Sequence, residues 1–193
     1  MLHHLDILGA IFSFLSTCFY VLAMELCWPI GIAATVVNGT LYGLSGIYGD
    51  MVLEGIYFLT MFYGWYEWRY GGKNHKKLPV QRLRWPLVCI LTGVAVLGIA
   101  ITYSVLKFYL HSSVAGMDSI TTILSLIAQW MVCIKLLECW IVWFFVDATY
   151  VVLYFDRDLP VHSGLLVFYL GMAVAGYWRW RLLLVAQKNN MEK

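Results

Sequence analysis

Seven apolar runs, each long enough to cross a bilayer, leave this chain little choice but to fold as a bundle of helices in lipid. They lie near residues 6–24, 29–47, 51–69, 86–107, 119–136, 139–155 and 161–181. A hydrocarbon layer of roughly 30 Å takes about 20 residues of helix. Within it every peptide N–H and C=O has to be bonded inside its own segment, which a helix does. The runs are separated by Trp28-Pro29, Gly49-Asp50, Gly71-Gly72, the His111 to Asp118 stretch, Lys135 to Glu138, and Asp156-Arg157-Asp158-Leu159-Pro160. Of the 193 residues 62% are hydrophobic and only 12% charged, with a mean hydropathy of +0.75. Water-soluble domains carry about a quarter charged residues, so lipid is the expected solvent. Residues 7–24 are preceded by no Lys or Arg and followed by no A-x-A site. That pattern reads as a retained first helix, not a signal peptide.

Charge gives the orientation. Arg69, Lys73, Lys76, Lys77, Arg82 and Arg84 follow the third run, and Arg179, Arg181, Lys188 and Lys193 close the chain. With seven crossings both segments fall on one face, together with Lys135. Asp6, Asp50, Lys107, Asp118, Asp156 and Asp158 fall on the other. The positive-inside rule then predicts an N-terminus outside and a C-terminus in the cytoplasm; the cytoplasmic (inner) membrane is the expected location. A net charge of +2 suggests no nucleic-acid partner. The five cysteines lie in or beside apolar runs without CxxC or Cys/His spacing, which reads as small apolar fillers. The five histidines are scattered, and neither a phosphate-binding loop nor a nucleophile constellation is present. No enzyme, metal or cofactor is therefore expected.

A single ungapped offset of 112 residues aligns the two halves. Trp28 falls on Trp140, Leu41-Tyr42 on Leu153-Tyr154, Tyr57 on Tyr169, and Gly64 to Arg69 on Gly176 to Arg181. Helices 1–3 and 5–7 are thus expected to be equivalent triplets. With helix 4 between them they enter the membrane in the same direction. The predicted organisation is a three-helix repeat at 1–69, a basic loop with an inverting linker helix at 70–117, a second repeat at 118–181, and a tail at 182–193. Parallel repeats about an axis along the membrane normal are a transporter plan, with a ligand held near the midplane. A duplicated structural or receptor-like membrane protein is the other reading of that pattern.

Polar groups inside the spans point to the site. A carboxylate in hydrocarbon is expensive and faces a cavity or a partner. Asp147 lies near the centre of the sixth run, where Trp140, Trp143, Asp147, Tyr150 and Tyr154 recur at helical spacing on one face. Rings around an acid suit a flat cationic ligand, by stacking and cation–π attraction. The third run offers Glu54, Tyr57, Met61 and Trp65, with Phe58 beside them. Asn38 and Gln129 are mid-span amides, suited to a ligand or to bonding between helices. Glu25, Lys135 and Glu138 sit at helix ends on the basic face, candidates for gating; Lys135 and Glu138, three apart, are also placed to pair with each other. Trp28, Trp68, Trp85, Trp178 and Trp180 fall near span ends, as an aromatic belt would.

Several of these segments resemble the PnuC family of Pnu-type vitamin transporters. Tyr63-Gly64-Trp65-Tyr66-Glu67-Trp68 is similar to the motif ending its third core helix. Asp118 to Ser125, Lys135 to Glu138, Trp140-Ile141-Val142-Trp143 with Asp147, and Gly176 to Trp180 follow in order. The resemblance implies a 3+1+3 core similar to the SWEET sugar transporters, with a substrate site between repeats. It further implies facilitated diffusion of nicotinamide riboside, thiamine or a related vitamin, trapping by cytoplasmic phosphorylation, and association as trimers. It gives Trp140 and Trp143 the role of aromatic walls. Nicotinamide riboside carriers tend to have Asn at the position of Asp147 and Gln at that of Glu54. This chain carries acids there, which suit the pyridinium of nicotinamide riboside as well as the thiazolium of thiamine. Nicotinamide riboside is kept narrowly ahead.

Overall fold

A computed structural model describes residues 2–109, 111, 114–155 and 160–191. The predicted break at Asp156 to Leu159, the final Lys193, and the side chains of Tyr154 and His162 lie outside the described residues. The described chain is helical: α1 Leu2–Val21, α2 Cys27–Leu44, α3 Tyr48–Tyr70, α4 Trp85–Ser104, α5 Ala115–Cys133, α6 Cys139–Phe155 and α7 Pro160–Met191. The last turn of α4 widens into a π-helical turn over Val105–Tyr109. These helices fall where the seven apolar runs were read. α7 runs on past the apolar stretch to Met191, through the segment predicted as a tail. By length and composition Leu2–Val21, Trp85–Tyr109 and Ala115–Cys133 can each cross a bilayer, and Cys139–Val151 is a shorter apolar helix. The others are shorter or carry more polar groups.

Helix neighbours define a ring. α1 packs on α2, α2 on α3, α3 on α5, α5 on α6, α6 on α7, and α7 closes back on α1. α4 lies outside the ring and packs on α5. No residue of α4 is fully buried; Leu87, Leu91 and Ala95 are partly covered by the bundle, and most of its other apolar side chains are exposed. Among the described residues α2 and α6 do not pack on each other, so they stand across the ring interior.

The two turns at the basic face are built alike. Ala23 and Lys135, related by the 112 offset, hold φ of 56° and 53°, a left-handed conformation uncommon outside glycine. The Ala23 and Lys135 N–H groups donate to Tyr20 and Val132 carbonyls at 2.9 and 3.0 Å, and those of Met24 and Leu136 to Phe19 and Met131. The following helices then start with buried Cys27-Trp28 and Cys139-Trp140.

These tryptophans pack against glycines that admit them. A methyl group added at Gly64 would fall inside the Trp28 ring, and one at Gly176 inside the Trp140 ring. Trp68 and Trp180 are fully buried and lie 5.8 Å apart, centroid to centroid. Each also meets its own half's tryptophan edge-on, Trp28 at 5.2 Å and Trp140 at 5.4 Å. The Trp68 indole N–H donates to Val132 O and that of Trp180 to Tyr20 O, both at 2.9 Å. Position 20 plus 112 is position 132, so the two bonds are the same bond made reciprocally across the ring. This corrects the belt expectation for Trp28, Trp68 and Trp180. Their amphipathic rings serve the core, because each N–H finds a carbonyl or each benzo edge a glycine. Trp85 and Trp178 are exposed, 77% and 56%, as belt residues are.

The basic stretch between α3 and α4 is a strap laid over these turns. It opens with a turn at Lys73–His75 in which Asn74 and His75 are left-handed, φ 59° and 54°, and its Leu78 and Val80 are buried. Gln81 pairs with Leu136 in a one-residue parallel bridge.

Candidate functional site

The ring interior collects the polar side chains singled out from the sequence. Asp147 lies eight residues beyond Cys139, and Asn38 eleven beyond Cys27, so each is more than two helical turns from the basic face. They approach from α6 and α2, the helices that face each other across the ring.

On the first-half side Asn38 is held tightly. Its Nδ2 donates to Ser13 Oγ at 3.2 Å and to Glu54 Oε1 at 3.4 Å. Its carbonyl oxygen fills the space left by the missing side chain of Gly9. One amide therefore ties α1, α2 and α3 together and aims the Glu54 carboxylate. Tyr57, one turn further along α3, lies against Ser125 of α5, with Glu54 and Tyr150 in electrostatic reach.

On the second-half side Asp147 has no cation and no hydrogen-bond donor paired with it among the described residues; Tyr169 is within electrostatic reach of Asp147 and of Cys18 of α1. Trp143 and Tyr150 are half-buried on the same helix. Trp140 is placed differently, 4% exposed and packed against Gly176 and Trp180. Its indole N–H and that of Trp28 have no partner among the described residues.

Below these groups Tyr20 donates its hydroxyl to Met61 Sδ at 3.1 Å. Gln129 Nε2 makes long contacts to Thr60 Oγ1 at 3.5 Å and Met61 Sδ at 4.0 Å. Beneath this layer the Trp68–Trp180 pair fills the ring. The ring interior thus carries two acids, with a floor of aromatic rings toward the basic side. Asn38, Glu54 and Tyr57 form one group, Asp147 with Trp143 and Tyr150 a second, and Met61 with Gln129 the layer below both.

The gating candidates sit beneath the floor, each held by the strap between α3 and α4. Lys135 does not bond Glu138: its Nζ donates to Leu78 O at 3.1 Å and lies 4.1 Å from the Trp68 ring centroid. Glu138 Oε2 accepts the Leu83 N–H at 2.8 Å, and Glu25 pairs with Lys77 at 2.8 Å. Ser13, Tyr20, Tyr169 and the Trp68–Trp180 floor were not anticipated. The repeat offset, which aligns Trp68 with Trp180, was the signal available for the floor.

The sequence profile described as nicotinamide mononucleotide transporter matches residues 3–182. A solved structure titled as the crystal structure of the vitamin B3 transporter PnuC is similar in fold. Its TM-score is 0.75, with 94% of this chain and 82% of that chain covered at 20% identity. No curated protein matches the sequence.

Proposed function

Because the chain belongs to the nicotinamide mononucleotide transporter family, we propose that it imports nicotinamide riboside through the cytoplasmic membrane by facilitated diffusion. The observation that carries this reading is Asp147, an acid deep in the ring without a cationic partner among the described residues. A bare carboxylate there is costly, and a ligand with a fixed positive charge offsets that cost. Glu54, aimed by Asn38, supplies a second acid from the opposite half. Trp143 and Tyr150 offer stacking faces beside Asp147, with Trp140 backing them, and Tyr57, Met61 and Gln129 complete the polar and soft contacts. The vitamin B3 title of the similar structure agrees with a substrate of the nicotinamide class. Thiamine is the second reading, favoured by the same two acids.

In this reading all seven helices cross the membrane in a 3+1+3 order, with α1–α3 and α5–α7 as parallel repeats and α4 as the inverting linker, as in SWEET transporters. The reciprocal tryptophan bonds and the matched turns support it. The basic face is cytoplasmic, the N-terminus outside. The two halves rock about this site, and phosphorylation inside the cell keeps the inner concentration low, so no fuel is needed. The lipid-facing surface of α4 leaves room for the association as trimers that the family resemblance implies.

Reconstituted protein tests this directly. Vesicles should equilibrate labelled nicotinamide riboside without any imposed gradient and show counterflow. A membrane protein that only binds would raise its own melting temperature with ligand but give no counterflow. Accumulation above equilibrium driven by an imposed pH gradient would replace the uniporter with a proton-coupled carrier.

A further inference from the structure

We propose that Lys135 is the latch of a gate at the basic face, a second-half residue that grips Trp68 and Leu78 of the first half and must let go for that face to open. The inference rests on the transport reading above and adds to it the part of the molecule that moves.

The strap between α3 and α4 is divided between the halves, and Leu78 is the division. Before it, the strap is tied to the first half: Lys77 pairs with Glu25 at 2.8 Å, and the Leu78 N–H donates to Trp68 O at 3.0 Å. After it, the ties go to the second half's turn. Gln81 N–H donates to Lys135 O at 2.9 Å, Leu137 N–H to Gln81 O at 2.9 Å, and Leu83 N–H to Glu138 Oε2. Lys135 crosses that division. Its Nζ takes the Leu78 carbonyl on one side and the Trp68 ring, part of the aromatic floor, on the other.

The latch is one-sided. Ala23 holds the same backbone conformation at the equivalent place in the first half, but its methyl group reaches no such partner. Lys135 is 8% exposed, and burying an ammonium forfeits strong hydration. A carbonyl and an aromatic face recover part of that loss. Withdrawal into water restores that hydration, so such a contact gives back on opening much of what it gains on closing, as a packed apolar contact does not. When Lys135 withdraws into water, Trp68 loses the cation beneath its ring, and the strap is free to bend at Leu78-Pro79.

The test compares two reversible cross-links in proteoliposomes, made with one short thiol-reactive bifunctional reagent in a background where Cys27, a native thiol in electrostatic reach of Lys135, is Ala. Lys77→Cys with Lys135→Cys joins the halves. Lys77→Cys with Glu25→Cys joins parts of the first half only. The first link should stop uptake of labelled nicotinamide riboside and the reductant restore it, while the second leaves uptake running. Uptake that continues through a complete first link, or stops with both, would overturn the gate. Lys135→Met is the companion variant. It should still transport, and Cys133 and Cys139, buried beside the turn, should react with a hydrophilic thiol reagent roughly tenfold faster or more. Unchanged thiol reactivity with transport intact, or loss of transport, would also overturn the latch. If the wild-type protein shows no uptake at all, it is the transport reading that fails, and the latch falls with it.

Discussion

At the scale of single residues the chain works by leaving some groups unsatisfied and overcommitting others. Asn38 is fully engaged by Ser13, Glu54 and the gap at Gly9, so it reads as a brace for Glu54. Asp147 is the reverse, an acid with no cation among the described residues. Asp147→Asn keeps the volume and removes the charge. It should weaken binding of a cationic vitamin by about tenfold or more, worth about 1.4 kcal/mol. Ligand-induced thermal stabilisation of the purified protein measures it, and affinity equal to wild type would remove the charge from the recognition scheme. Asp147 was legible in the sequence because a charge within an apolar run stands out without any knowledge of the fold. Tyr169 and Ser13 were not, because a phenol or hydroxyl in such a run is ordinary until its neighbours are known.

At the scale of helices the chain relies on glycine–tryptophan contacts used twice. Gly64 seats Trp28 between α3 and α2, and Gly176 seats Trp140 between α7 and α6. The rings occupy the space a Cβ would need, and each is backed by another indole, so they have nowhere to shift. Gly64→Ala and Gly176→Ala should each destabilise the protein by about 1–3 kcal/mol or more through overpacking. Gly93→Ala in α4, where nothing lies within 4 Å, should change the melting temperature little. Equal thermal unfolding of all three variants in detergent would show that the contacts are softer than their geometry indicates. The motif around Gly64 was visible in the sequence, but its purpose was not. Periodicity locates a glycine on a helix; it does not say which ring approaches it from the neighbour.

At the scale of the whole molecule the strap and turns of the basic face join the two halves, and Lys135 is the charged group at their centre. Burial lowers its pKa to about 8, with Cys27 and Glu25 acting in the opposite sense and Lys77 in the same one. An unfolded lysine titrates near 10.4. Between these values the unfolded chain holds more protons than the folded one, so stability conferred at this position rises with pH. Below pH 8 both states are protonated and the burial penalty is fully present. Measured against Lys135→Met, which titrates nothing there, wild-type protein should gain apparent melting temperature from pH 7.5 to 9.5. A difference between the two that stays flat across that range would mean the ammonium is better solvated than its burial indicates.

The sequence by itself determined the helices, their number among the described residues, and the acids placed within them. Hydrocarbon enforces one backbone solution on an apolar run, and any carboxylate inside it is conspicuous. Its internal offset also paired Trp68 with Trp180 before any contact was known. Only the tertiary structure decided what those indoles do, because a tryptophan near a span end suits an interface and a core equally well until its N–H finds an acceptor. It likewise decided that Lys135 grips Leu78 and Trp68, not Glu138. The partner of a charge in a turn depends on which distant segment lies across it, and no local spacing carries that information.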